Sequence, residues 1–428
     1  MKIGIVVQRY GTNINGGAEF HARMLAEKLA EKHQVTVFTT RSESYIHWDN
    51  RLPGGRQTVN GIEVHRFESA EKDPVLAHRY YRRLRQLSKI SNLLRRAGWY
   101  HLAEHKRLEA PLWFGRWLRH QGPYTPALVD HLKKVADQYD AFIFFTYLYY
   151  PTHAGLRKIS QKSIFIPTAH PEKPFYFPGY RHGFARTGWI MYNTPGEKEL
   201  VEKTHPAARQ KPHDIAGIGL KALRFEPGEK PLDSPYFVYI GRIDRAKNVH
   251  RLIAYFKRFA RHKDVKLVLI GKAEDFATES DPQIIFTGFV SDSEKNNWLY
   301  HSRGLIIPSR HESLSLVTLE AMQMGIPVVA NRQSQVLRDH IRLSEAGKTY
   351  KGYRSFKKAL NELLALDEKQ REEWARKGRE YVEKNYRWEP ILEKFDRAFA
   401  HVARRPQAQE TVIQPFHDPM LPHPAKAD

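Results

Sequence analysis

Two stretches in the second half of the chain place charged residues among turn-forming neighbours at spacings that suit a site. In Tyr239-Ile240-Gly241-Arg242-Ile243-Asp244-Arg245-Ala246-Lys247-Asn248, a strand-like run enters a glycine, then a short loop holding Arg242 and Lys247. A helical period starts near Asn248. Such a junction suits an anion, because unpaired amides and the positive helix end attract it while Arg and Lys neutralise it. The residues alone admit two readings, a phosphate site and a solvated basic loop. The second stretch, Pro308-Ser309-Arg310-His311-Glu312-Ser313-Leu314-Ser315-Leu316-Val317-Thr318-Leu319-Glu320-Ala321-Met322, sets Glu312 on a loop and Glu320 within the next helix. Their separation is a little over two helical turns. Carboxylates suit pairs of sugar hydroxyls, which are donors in need of strong acceptors, although an isolated Glu pair is ordinarily surface charge.

The elements that must position these residues alternate between short β-branched or aromatic runs and helical periods, the pattern of parallel sheets covered by helices. Expected strands in the first half are 2–8, 34–39, 61–67, 141–147, 163–167 and 189–193. A first helix follows Gly16-Gly17, with Ala18, Ala22, Leu25 and Leu29 on one face and Glu19, Arg23, Glu27 and Lys28 outside it. Thr194-Pro195-Gly196-Glu197 has capping-box spacing with Pro at the first helical position. After a Pro/Lys/Gly-rich connector at 225–235, a second series has strands at 236–242, 266–271, 284–289, 304–308 and 327–330. Helices are expected at 249–261, 293–301 and 316–324, with helical segments near 355–365, 371–386 and 389–400. Two such series predict an α/β chain of two doubly wound domains facing a central cleft, with ligand at the carboxyl ends of the strands. The residues from 404 to 428 include five prolines without periodicity and read as a disordered tail.

Composition narrows the class. A chain of 428 residues with 41% hydrophobic content is long enough for about two to three globular units. The absence of cysteine excludes a disulfide framework, a thiol nucleophile and thiolate zinc sites, and fits a reducing cytosol. The first residues read as a strand rather than a signal peptide, and no apolar run approaches the ~20 residues of a membrane span. The formal charge of +22 implies attraction to polyanions. From 78 to 120 there are eleven Lys/Arg against Glu104 and Glu109, a local net of +9. Within this insertion Leu84, Leu87, Ser91 and Leu94 share one helical stripe, while Arg82, Arg83, Arg85, Lys89, Arg95 and Arg96 fill much of the rest. Trp99, Tyr100, Trp113, Phe114 and Trp117 follow. Basic helices with interfacial aromatics suit an anionic membrane surface; the same aromatics also suit the core of a helical subdomain.

Taken together, the Gly-Arg-to-Lys-Asn loop and the Glu-(seven residues)-Glu element resemble the retaining family 4 glycosyltransferases of the GT-B fold, in order, spacing and secondary-structure context. The resemblance covers most of the chain and is nearest to bacterial polysaccharide and O-antigen enzymes. Gly16-Gly17-Ala18-Glu19 looks like the family's N-terminal glycine loop, Pro167-Thr168-Ala169-His170 like its strand-end histidine, and Gly288-Phe289-Val290 like the strand end that approaches the nucleobase. Ser313-Leu314-Ser315 departs from the small glycines common after the first glutamate, and the common Asn-Gly-Val-Asp turn is replaced by Gly217-Ile218-Gly219-Leu220.

The resemblance implies two Rossmann-like domains, an acceptor-side one at 1–213 with a helix at 387–403 crossing back, and a donor domain at 214–386. It implies transfer of a sugar from a UDP- or GDP-linked donor to a hydroxyl of a glycan or lipid-linked acceptor, with the anomeric configuration retained and domain closure completing the site. Arg242 and Lys247 would stabilise the departing diphosphate, with amides after Gly16 and Gly17 assisting. Glu312 and His170 would fix the donor sugar, and Glu320 would accept from the ribose. Gly241, Val290, Ser313, Leu314, Ser315 and Leu316 would complete the donor pocket. Arg82, Arg83, Lys89, Arg95 and Arg96 are candidates for a membrane or acceptor contact. No Asp-any-Asp triplet occurs, so neither metal nor cofactor is expected. The implied partners are the nucleotide sugar, the acceptor and an anionic membrane surface, not nucleic acid, with a location in the cytoplasm or on the inner face of the plasma membrane. A sugar phosphorylase or sugar-nucleotide epimerase shares the architecture, and a non-catalytic nucleic-acid or membrane-binding protein is the remaining alternative.

Overall fold

The computed structural model describes residues 1–428 other than 15, 97, 98, 100–111, 221, 222, 224, 274–280 and 404–428, and other than the side chains of 88, 91, 92 and 94–96. The expected tail and Tyr100 therefore lie outside the described residues, as do the side chains of Ser91, Leu94, Arg95 and Arg96. The chain forms two compact units, Met1–Ala216 with the residues from Leu392 onward, and Gly217–Ile391.

The strands of the first unit are β1 (Lys2–Val6), β2 (Gln34–Thr40), β3 (Gly55–Val59), β4 (Ile62–Phe67), β5 (Ala141–Phe145), β6 (Ser163–Ile166), β7 (Trp189–Tyr192) and β8 (His213–Ile215). They form one sheet in the order β3-β4-β2-β1-β5-β6-β7-β8, parallel except for the antiparallel β3 edge. Its helices are α1 (Gly17–Leu29), α2 (Pro74–Arg96), α3 (112–121), α4 (Pro126–Val135), α5 (Tyr150–Lys158), α6 (Arg181–Arg186) and α7 (Pro195–Thr204). The strands β1 and β5 are buried almost throughout, as expected of parallel strands covered on both faces. Gly4 sits opposite Phe142, and a Cβ there would lie 2.5 Å from the Phe142 ring, so the aromatic core occupies the missing side chain's space.

The second unit has β9 (Tyr236–Ile240), β10 (Lys266–Ile270), β11 (Ile284–Gly288), β12 (Leu305–Ile307), β13 (Val328–Asn331) and β14 (Gly347–Tyr350), all parallel in the order β11-β10-β9-β12-β13-β14. Around them lie α8 (Val249–Ala260), α9 (Asp292–Tyr300), α10 (Leu316–Gln323), α11 (Gln335–Ser344), α12 (Tyr353–Ala365) and α13 (Glu368–Asn385). The last helix, α14 (Trp388–Ala403), belongs to the first unit from Leu392, where Arg397 pairs with Asp214 at 2.7 Å.

Most expected strands overrun at their carboxyl ends. The chain leaves the ladder there through left-handed residues: Thr146 (φ 65°), Gly241 (φ 145°), Gly271 (φ 139°) and Gly288 (φ 73°). The strands β3 and β14 and the helices α4, α5 and α11 are elements that the periodicity reading did not include. The face assigned to α1 is corrected at two positions. Ala18 is half-buried, whereas Glu19, placed outside the apolar face, is 7% exposed. Burial is tolerable because Arg9 donates to Glu19 Oε1 from Nε at 3.0 Å and from Nη2 at 2.6 Å. The carboxylate also explains Gly16, where φ is 155° and a Cβ would lie 2.1 Å from Glu19 Oε2.

In the insertion, Leu84 and Leu87 are buried and Arg82, Arg83 and Lys89 exposed. Phe114 and Trp117 are core residues packed on Phe177 and Tyr180, so the subdomain reading holds for these two aromatics. Trp113 is half-buried with the Arg83 and Arg116 guanidiniums over its ring, and Trp99 is 59% exposed.

Removing one partner of a buried ion pair strands the other charge. The Glu19→Ala variant is expected to destabilise the first unit by about 3 kcal/mol, read as a lower urea midpoint. An unchanged midpoint would show that the Arg9–Glu19 pair is not what orders the start of α1.

Candidate functional site

The topological switch point of the second sheet lies at β9, whose neighbours β10 and β12 lead the chain in opposite directions. The Arg242 loop leaves the carboxyl end of β9, and the Glu312 loop leaves that of β12. Gly241 and Gly271 let the loops leaving β9 and β10 run against one another: a Cβ on Gly271 would lie 2.0 Å from the Gly241 carbonyl oxygen.

Asp244 organises the loop after β9. Its Oδ1 accepts from the Lys247 amide at 2.6 Å, and its Oδ2 lies 3.4 Å from the Arg242 guanidinium. Tyr239 donates its hydroxyl to the Arg242 carbonyl at 2.6 Å. The amides of Asn248 and Val249 bond to the carbonyls of Arg245 and Asp244. The turn thus uses the backbone amides of residues 247–249. Asn248 begins α8 in the left-handed region (φ 65°) and makes no side-chain cap. Its amide instead donates to the Pro308 carbonyl at 3.1 Å, which also receives Asn331 at 2.9 Å.

This tie brings the two charged stretches together. Lys247 Nζ lies 2.7 Å from Glu312 Oε1, both groups largely but not fully withdrawn from solvent. Ser315, left-handed at φ 63°, turns the chain into α10, and its hydroxyl bonds that of Thr318 at 2.9 Å. Leu314 is buried, so its side chain serves the core rather than a ligand. Its carbonyl accepts from Nε2 of the buried His340 at 2.7 Å, while Nδ1 faces the Tyr381 hydroxyl at 2.9 Å. Burial lowers the His340 pKa, which keeps the ring neutral with its proton on Nε2. Glu320 meets Lys295 at 3.5 Å, and the same ammonium binds Asp292 at 2.9 Å. Burial works against the Lys295 charge, but Glu320 and Asp292 outweigh it and raise the pKa. Gly241, Ser313 and Leu316 are half-buried, as is Val290, which packs partly on the Tyr236 and Val238 cluster; Phe289 beside it is 72% exposed. A cavity of about 1250 Å³ opens at the opposite end of this sheet, beside Arg303, Ile326 and Arg371, and contains none of the expected site residues.

In the first unit, Gly16 and Gly17 open α1 after β1, and His170 follows β6 through left-handed Thr168. His170 Nε2 lies 3.4 Å from Glu172 Oε1, which also accepts the Tyr147 hydroxyl at 2.5 Å. The Thr194 hydroxyl accepts from the Glu197 amide, as the capping spacing predicts. The reciprocal half differs: the fully buried Glu197 carboxyl accepts from the amides of Ala169 and Asn193, both at 2.5 Å. Glu197 thus joins the turn before His170 to the start of α7. Sequence reasoning missed this role, as it missed Lys295 and His340, because each partner is remote along the chain. Among the described residues no cluster of three or more His, Asp or Glu is arranged to hold a metal ion.

Burial pushes the Glu197 carboxyl up to about 8, against the pull of its two amide donors. The folded state then holds a proton that the unfolded chain releases above its ordinary value of 4.5. The stabilisation is complete below that value and is lost as pH rises towards 8. The urea midpoint of the first unit is expected to fall between pH 5 and pH 8, and to fall less in Glu197→Gln, which cannot titrate. Parallel profiles would refute this.

Residues 221–381 match the family model described as Glycosyl transferases group 1. A lipopolysaccharide 1,2-N-acetylglucosaminetransferase of Salmonella typhimurium is 28% identical over 185 residues, covering 38% of this chain and 48% of that protein. A phosphatidyl-myo-inositol mannosyltransferase of Propionibacterium freudenreichii is 33% identical over 110 residues, 25% of this chain and 27% of that protein. The chain thus spans about half or less of these relatives' length. Among solved structures, sucrose-phosphate synthase of Thermosynechococcus elongatus has a TM-score of 0.66 at 17% identity, covering 94% of this chain and 98% of that one. Anabaena HepE in complex with UDP and glucose has a TM-score of 0.63 at 14% identity, covering 94% and 99%. At such identity the likeness is one of fold, and the fold is GT-B.

Proposed function

Because the second unit of this GT-B chain carries the glycosyl transferases group 1 match, we propose that the protein moves a sugar from a nucleotide-diphosphate donor to a hydroxyl of a glycan or lipid-linked acceptor, retaining the anomeric configuration. The observation that carries the reading is the Lys247–Glu312 contact, which joins the two charged loops at the carboxyl ends of β9 and β12. Loop placement at a switch point supports a ligand there. The complex of HepE with UDP and glucose supports a UDP-linked donor over a GDP-linked one. The names of the Salmonella and Propionibacterium relatives support a role in cell-surface polysaccharide or glycoconjugate synthesis.

In the reaction, the bond between the anomeric carbon and the diphosphate oxygen breaks and a bond to the acceptor oxygen forms. The acceptor's proton passes to the departing phosphate. Negative charge grows on the diphosphate as it leaves, and Arg242 and Lys247 stabilise it there. Glu312 aligns Lys247 before the donor arrives and then shares it, accepting from a sugar hydroxyl. Glu320, held by Lys295, accepts from the ribose.

Arg242→Ala and Lys247→Ala are each expected to lower turnover by about 10²- to 10³-fold with circular dichroism unchanged. Near-normal turnover in both would sink the assignment. Product analysis separates transfer from the phosphorylase and epimerase readings: a glycosylated acceptor appears only when acceptor is supplied.

The finer location we propose is the cytoplasmic face of a membrane. No helix among the described residues is long and apolar enough to cross one. The helix α2 exposes Arg79, Arg82, Arg83 and Lys89 together with Val75, Ile90 and Leu93, a mixture suited to anionic headgroups. The combined Arg82→Ala, Arg83→Ala and Lys89→Ala variant is expected to co-sediment less with phosphatidylglycerol vesicles; unchanged sedimentation would remove α2 from membrane docking.

A further inference from the structure

The candidate donor residues account for only part of the charge at the carboxyl edge of the second sheet. Arg242, Lys247 and Lys295 are each matched to a carboxylate. Six further cations, Arg245, Arg251, Arg310, Arg332, Arg338 and Lys351, form no ion pair among the described residues.

These six make a connected row. Burial, followed by the charges of Arg245, Arg251 and Arg310, lowers the His250 pKa. Arg310 Nε and His250 Nδ1 are buried and bonded to no described atom. Arg251 also acts electrostatically on Tyr350, whose carbonyl accepts from the Arg332 amide at 2.8 Å. Arg332, Arg338 and Lys351 then line a cavity of about 350 Å³. In sequence, Arg245 follows β9, Arg310 follows β12, Arg332 follows β13 and Lys351 follows β14. These strands are adjacent in the sheet. At about 4.8 Å per strand the row crosses roughly 14 Å.

We propose that this row binds a linear anionic oligosaccharide, one bearing about one negative charge per sugar. A row of separated cations matches charges repeated along a chain better than the single point charge of a free phosphate. The central aromatic, Tyr350, is 3% exposed and offers no stacking face, which disfavours single-stranded nucleic acid. Arg supplies planar donors suited to carboxylate groups.

The probe is hexagalacturonate, titrated into the full chain at low salt, with maltohexaose as the neutral control. The combined Arg332→Ala, Arg338→Ala and Lys351→Ala variant is expected to lose about tenfold in affinity and to show a shallower salt dependence. Lys230→Ala, Lys263→Ala and Lys369→Ala together remove the same charge at other surfaces and should leave affinity unchanged. Should the first triple variant fail to fold, Arg338→Gln, exposed on α11, tests the same row with a smaller loss. The proposal is overturned by no binding to the wild type, by equal loss in both triple variants, by equal binding of maltohexaose, or by tighter binding of a single-stranded DNA of equal charge. A thermal-shift titration with UDP-glucose runs alongside and should be unaffected in the Arg332/Arg338/Lys351 variant. If the wild type responds to no nucleotide sugar, the transfer reading fails, while saccharide binding is still decided by the titration.

Discussion

The Pro308 carbonyl is where three loops of the second unit are tied. Asn248, from the loop after β9, and Asn331, at the end of β13, both donate to it. A buried carbonyl with two lone pairs must find partners, and here it finds them in two neighbouring strand ends. That tie determines which side chains can meet. With Asn248 anchored over β12, Lys247 one residue earlier reaches Glu312. Asn248 pays for the tie with a left-handed backbone and no helix cap, a conformation Asn tolerates better than most residues. The local rule for a helix start therefore yields to a longer-range hydrogen bond.

The carboxylates of the chain illustrate how burial is made tolerable in different ways. Glu19 is matched to a guanidinium, Glu312 and Glu320 to ammonium groups, and Glu197 to two backbone amides. At Glu197 burial raises the carboxyl's pKa, against the pull of the two amides and of His170. Glu197 and Glu19 hold turns in place. Glu312 and Glu320 remain partly solvent-accessible.

Strand cores were legible in the sequence because buried parallel strands are nearly continuous apolar runs, as in Ala141–Phe145. Their ends were not, since a left-handed Thr146 looks like another strand residue. The charged site residues could be singled out because Arg242, Lys247, Glu312 and Glu320 stand in loops and helix starts with a recognisable spacing. Their partners could not. Lys295 comes from α9, His340 from α11 and Asn331 from β13, and no local pattern couples these to the Glu312 loop. Helical periodicity also misplaced Glu19, because it ranks residues by polarity and cannot foresee Arg9.

Charge pairing also constrains how the site can attract a donor. Arg242 and Lys247 carry two positive charges, while Asp244 and Glu312 beside them carry two negative ones. These two cations are locally compensated and by themselves exert little long-range pull on a diphosphate. On the proposed reading, selectivity comes from directed hydrogen bonds made at contact, where a guanidinium and an ammonium exchange part of their carboxylate bonding for phosphate oxygens. On that reading long-range attraction falls to the unmatched cations, Arg245 within the same loop and those along the sheet edge to Lys351. Gripping by compensated cations and attraction by unmatched ones are then separable by mutagenesis.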